Sequence, residues 1–119
     1  MNHMLRQNVF TKIEQIDYVA QMEQLCEMLF QNARSSLTGE CYEALIGRVM
    51  GLKEYEKAEL WGNRFFEQYP RLLNPYKLRL KLYFETGNKE KFFEVFSQLK
   101  ESSVAVDNKT LELIRMIQQ

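Results

Sequence analysis

The chain has little of what most catalytic chemistry uses. Its 119 residues include one histidine, two cysteines, two prolines and five glycines. A Ser-His-Asp or Cys-His nucleophile pair needs an imidazole held in a cleft by a third group. The single histidine, His3, stands at the third position of the chain. Cys26 and Cys41 show no CxxC spacing and no histidine neighbours, so neither a zinc site nor a disulfide framework is expected. Their pattern fits reduced thiols and a cytoplasmic location. There is no phosphate-cradling glycine loop, no EF-hand pattern and no HExxH. The expectation is a non-enzyme with no catalytic residue, no metal and no cofactor.

Long apolar runs are missing too. None approaches the roughly 18 residues of a membrane span, and Met1-Asn2-His3-Met4 lacks the basic-then-apolar order of a signal peptide. Charge of one sign is also lacking, since sixteen Lys+Arg balance sixteen Asp+Glu. That balance argues against a surface made broadly attractive to nucleic acid or membrane. The length suits one domain.

What is present is helical periodicity, enough for six to seven helices. Leu5, Val9, Ile13 and Ile16 mark one face of a first helix. Asp17 is a candidate cap for a second helix through Met22, Leu25, Leu29 and Ala33, and the two stretches can also be drawn as one. Arg34 to Gly39 reads as a loop. Helices follow over about Glu40 to Leu52 and Glu54 to Tyr69, the latter stopped by Pro70. Asn74-Pro75 opens the next in the order of cap, then proline. Gly87-Asn88 closes it, with glycine suited to a left-handed cap. A helix over Lys89 to about Glu101 and a last one beginning near the capping residue Asp107 complete the chain. Lys77 to Leu82 alternates polar and apolar like a strand. A lone strand among helices would leave its backbone groups unpaired, so this stretch is expected as a helix buried on more than one side. Gly47 and Gly51 are read as allowing close packing, and Glu54 and Glu56 as complementing a helix start.

The strongest signal is a period of 34 residues. It lays Tyr42 on Tyr76 and Thr110, Ile46 on Leu80 and Ile114, and Val49 on Tyr83 and Ile117. Ala58 falls on Phe92, Phe65 on Leu99, and Pro70 on Val104. Inner positions stay apolar in almost every case; the row Leu45, Arg79, Leu113 shows one charged exception. Two helices per period is the pattern of helical-hairpin solenoids, whose units bury their faces by stacking. The expected organisation is one helical-repeat domain over 1–119, with an N-terminal helical segment 1–38, repeats over 39–73 and 74–106, and a closing helix 107–119.

At these positions the chain resembles the tetratricopeptide repeats. Leu52 to Ala58, followed by Phe65 and Pro70, is similar to the second helix of that repeat, and Tyr83 with Gly87 to the end of its first helix. The resemblance covers about residues 40 to 118. It departs from the family at Ile46 and Leu80, where a small residue is usual, and at Phe92, where alanine is; Phe92 implies wider helix spacing in the second unit. The stretch from Gly87 through Lys100, Val104, Asp107 and Thr110 is similar to a pentatricopeptide repeat. Asn74-Pro75-Tyr76 through Tyr83 and Gly87-Asn88 resembles the helical activator domain of bacterial transcription regulators.

The tetratricopeptide resemblance implies an all-α, right-handed stack of antiparallel hairpins that binds a peptide or partner helix in a concave groove. The groove-facing positions it assigns are Glu43, Gly47 and Met50, then Lys77, Lys81 and Phe84, then Leu111, Arg115 and Gln118. Lys77, Lys81 and Arg115 would form a basic stripe beside Phe84, suited to an acidic peptide or carboxylate. Acidic residues gather instead on the early helices. Self-association through the terminal helices is a further expectation. The alternatives are a regulatory domain of a bacterial transcription regulator, a single-stranded RNA-binding repeat, or a helical accessory tail of a larger enzyme such as a glycosyltransferase. Most of the eight Phe and six Tyr sit at inner positions and are read as core; Trp61 is read as less enclosed, on a helix able to show one edge to solvent.

Overall fold

A computed structural model describes residues 11–117 in full and the backbone of Gln118. His3, Leu5 and Val9 lie outside the described residues. Six helices form within them: α1 Lys12–Asn32, α2 Gly39–Gly51, α3 Tyr55–Gln68, α4 Leu73–Thr86, α5 Lys89–Glu101 and α6 Asn108–Gln118. A short 3-10 turn over Arg34–Ser36 links the first two, and the described residues contain no strand. The fold is all-α, as the periodicity predicts.

Local chemistry sets the helix ends. Thr11 caps α1 by accepting from the Glu14 amide at 3.1 Å, and Thr38 caps α2 through the Cys41 amide at 3.3 Å. Asn88 caps α5, accepting from Lys91 at 3.1 Å, and Asp107 caps α6, accepting from the Thr110 amide at 2.8 Å. Each of these satisfies a donor that helix geometry leaves orphaned. Two expected caps are corrected. Asp17 lies inside the continuous α1, where its carboxylate accepts from Gln21 one turn on. Asn74 is already helical, because α4 starts at Leu73. Its amide donates to Glu43 at 2.8 Å instead of closing the helix end.

The 34-residue spacing is written into the helix boundaries. α2 and α4 begin at 39 and 73, and α3 and α5 at 55 and 89. Burial follows the same register. Tyr42, Tyr76 and Thr110 are all buried, as are Ile46, Leu80 and Ile114, and Val49, Tyr83 and Ile117. Phe92 is as fully enclosed as Ala58. The stretch with strand-like alternation is helical, with Leu80 and Leu82 both buried and Leu78 partly so, one face turned to each of its neighbours.

Side-chain contacts fix the directions of the helices. Tyr42 near the head of α2 stacks on Phe65 near the tail of α3 at 4.9 Å, so the pair runs antiparallel. Phe66 meets Tyr76, and Glu59 meets Tyr83, so α3 and α4 run antiparallel as well. Asn74 against Glu43 and Lys77 against Asp107 set α2, α4 and α6 side by side in one direction. Glu23 with Trp61 and Glu27 with Arg64 set α1 parallel to α3. α1 thus occupies the place of a second helix in a hairpin, ahead of α2.

Trp61 is completely buried, and its indole donates to Glu23 at 2.9 Å. Phe30 of α1 packs edge-on against it, and the Arg64 guanidinium lies 4.0 Å from the Phe30 ring centre. Gly47 and Gly51 do not serve close packing: both are exposed, and a β-carbon at either would meet nothing within 4 Å. Gly62 does have a close neighbour, the stem of Arg79, 3.3 Å from where its β-carbon would be.

The turns after α2 and α4 are superimposable in register. Gly87 has φ +71°, and 34 residues earlier Lys53 has φ 60°. Both turns close with the same reverse bond, Glu54 amide to Val49 carbonyl and Asn88 amide to Tyr83 carbonyl, each 2.9 Å. Only at position 53 does a side chain bear the cost of left-handed backbone. Lys53→Gly is therefore expected to raise stability by about 1 kcal/mol, read as a melting temperature higher by about 4 °C. Gly47→Ala, exposed in mid-helix, is expected to add about 0.5–1 kcal/mol. A loss of stability in either variant would mean that the turn or the helix is shaped differently.

Candidate functional site

The groove-facing positions divide by unit. In the first, Glu43 is committed to Asn74, Gly47 is exposed without a side chain, and Met50 is buried in the core. Met50 therefore offers nothing to a ligand. In the second unit Lys77, Lys81 and Phe84 do line one cleft, of about 480 Å³, between α4 and α6. In the third, Leu111 and Arg115 are exposed on a flank of α6 that does not line this cleft. The side chain of Gln118 lies outside the described residues. The basic stripe of Lys77, Lys81 and Arg115 does not form one surface.

Lys109, Thr110 and Leu113 of α6 take the place expected of Leu111 and Arg115, and Leu78 and Glu85 join from α4. Sequence reasoning missed these five for a definite reason. The period carries α2 positions onto α6 as if each first helix met the same neighbours. Leu113 falls in the inner row with Leu45 and Arg79, yet it is only half-buried, because no described helix follows α6 to cover it. A core position at the end of the stack becomes a cleft wall.

The cleft has an apolar floor and a charged rim. Leu78, Phe84 and Leu113 are half-buried, packed on the core beneath them. Lys77 is not a free cation, for its ammonium lies 2.9 Å from an Asp107 carboxylate oxygen. Hydrogen bonds from Thr110 and from Lys77 hold the Asp107 carboxyl well below the usual carboxylate range. Asp107 therefore does two jobs: it caps α6 and ties that cap to α4. Lys81 and Lys109 are exposed and enter no ion pair among the described residues. They are the cations this rim can offer.

A second hollow, about 260 Å³ between α3, α4 and α5, is polar, and one buried atom at its edge, Arg79 Nε, has no hydrogen-bond partner among the described residues. Glu59 accepts from Tyr83 at 2.6 Å and from Lys91 at 2.7 Å. Those bonds, Lys91 first, lower its carboxyl below the ordinary value, while burial pushes the Tyr83 phenol up. Arg79 stacks over Phe66 at 4.7 Å and donates to Gln98 at 2.9 Å, with burial pulling its pKa down. This is how a polar residue fits the inner row: its charge spreads over a ring, and its stem passes Gly62. No group of three potential metal ligands occurs among the described residues. No described helix is long and apolar enough to cross a membrane.

Comparison with protein-family models, with curated proteins and with solved structures finds no match.

The latch gives a pH test with a definite sign. A carboxylate whose folded pKa is depressed stabilises the fold above its unfolded pKa of about 4 and loses that contribution as pH falls further. Asp107→Asn keeps the cap acceptor and removes the charge. The native chain is expected to be the more stable of the two at pH 7, and the gap to narrow steadily below about pH 4. A gap independent of pH in chemical denaturation would show that the charge contributes nothing.

Proposed function

We propose that the chain is a non-enzymatic protein-interaction module of the tetratricopeptide-like kind, which captures a peptide or partner helix in the cleft between α4 and α6. One observation carries this reading. The cleft joins an apolar floor of Leu78, Phe84 and Leu113 to a rim bearing Lys81 and Lys109, two cations with no ion-pair partner among the described residues. A site of that composition favours an apolar side chain flanked by carboxylates. The apolar contact supplies affinity, and the rim charges supply orientation and approach rate.

The 34-residue spacing of helix starts and the shared burial register support the repeat reading. Helices of α2, α4 and α6 type aligned in one direction are what a stack of hairpins requires. In the polar hollow around Glu59 and Arg79, Glu59 is already paired with Lys91 and bonded to Tyr83.

The test uses a displayed library of random peptides with no assumed partner. Enriched sequences are expected to pair Leu, Ile or Phe with Asp or Glu. Their affinity is expected to fall about tenfold or more for Lys81→Glu with Lys109→Glu, and less steeply at high salt. Lys77 is left unchanged because reversing it would break the latch to Asp107 and confuse binding with folding. Absence of enrichment, or peptides that bind the double variant equally well, overturns the assignment.

A further inference from the structure

The cleft calls for apolar anchors beside carboxylates, and the chain carries such a segment at the opposite end of the molecule. α1 has 21 residues, about 31 Å of helix, whereas α2 has 13, about 20 Å. The two run antiparallel, and Tyr18 lies beneath Arg48, whose guanidinium is 5.3 Å from its ring centre, near the tail of α2. Arg48 stands three residues before the end of α2, so residues ahead of about 15 extend past it. Ile13, on this extension, is 79% exposed, and Ile16, level with the end of α2, is 44% exposed. They stand one turn apart on a single helix face. Glu14 and Asp17 follow them in sequence, and neither enters an ion pair among the described residues. Thr11 fixes the helical frame by capping the first turn.

The extension cannot reach its own cleft. α1 packs on α2 and α3, and α4 stands between α2 and α6, so arm and cleft lie at opposite ends of the stack. We infer that Ile13 and Ile16 of one copy fill the α4–α6 cleft of a second copy, with Glu14 and Asp17 meeting Lys81 and Lys109. Lys12, the one cation on the arm, is the complement to Glu85 on the cleft rim. This deepens the groove reading above and rests on it, since it names the occupant of the same cleft. The contact is head-to-tail. Each added copy leaves one arm and one cleft open, so association grows with concentration instead of closing at two.

Two variants that alter only exposed side chains test this in pairs by sedimentation velocity. Ile13→Ser with Ile16→Ser disables the arm; Lys81→Glu with Lys109→Glu disables the cleft. Unchanged helicity and melting establish that both fold. The native chain is expected to gain mass as concentration rises to the order of 0.1–1 mM, the range of a small contact. Each variant alone is expected to stay a monomer. Mixed, they have one good arm and one good cleft between them, and they should form a 1:1 pair and nothing larger. A native chain that stays monomeric throughout overturns the inference. So does a cleft variant that associates like the native chain while the arm variant does not, which is the mark of a symmetric α1–α1 contact. If library peptides still bind the cleft in either case, the groove reading stands and only its occupant is wrong.

Discussion

A hairpin of two helices, 13 or 14 residues each, cannot enclose an apolar face by itself. Everything else in this molecule follows from that constraint. The inner faces of α2 and α3 close only because α4 covers one side and α1 the other. The same need recurs 34 residues later for α4 and α5, which is why helix starts and buried positions share one register. Rows such as Ile46, Leu80 and Ile114 are one structural position met repeatedly, each filled to suit its own neighbours.

Polar atoms are the second requirement, because large aromatic residues bring them into the core. The Tyr42 hydroxyl donates to Gln68 at 2.5 Å, and Gln68 in turn donates to the Arg34 carbonyl at 2.8 Å. Tyr69 reaches the Leu37 carbonyl at 2.9 Å, so the link between α1 and α2 is held by the tail of α3. Tyr76 donates to the Pro70 carbonyl at 2.8 Å and fixes the turn between hairpins. A buried phenol left without such a partner would cost about 1–3 kcal/mol. Burial raises the Tyr42 phenol to about 12, so its proton stays in place across ordinary conditions. These bonds specify which helix lies against which; the apolar contacts alone would tolerate sliding.

The architecture was legible where the signal was periodic. Helix number, the turn at Gly87-Asn88, the Asp107 cap and the inner rows all follow from spacing and residue type. The helical state of Lys77 to Leu82 followed from the absence of a strand partner. What was not legible depended on partners distant in sequence. Asn74 looks like a cap, and only the position of Glu43 on a neighbouring helix draws its amide elsewhere. Met50 is groove-facing by the tetratricopeptide resemblance, but in the fold it turns inward and is buried. The cleft itself is made by two helices in different units, one of them at the end of the described stack. No repeat alignment can report which inner residues an end leaves half-covered. Arg115 was grouped with Lys77 and Lys81 by arithmetic, and the rotation of α6 separated them.

The docking of α1 has one further consequence. Only Val19 and Cys26 of this helix are buried; Met22, Leu29 and Phe30 pack on the core half-covered, and Glu23 and Glu27 add polar links. Such an element opens more readily than a helix closed in by apolar contacts. Burial, with Cys41 and Glu23 adding to it, pushes the Cys26 thiol up, so while α1 is docked that sulfur is both covered and protonated. It can react with an alkylating reagent only when the helix lifts away. The chain thus carries a built-in clock: the rate at which Cys26 is labelled counts the departures of α1.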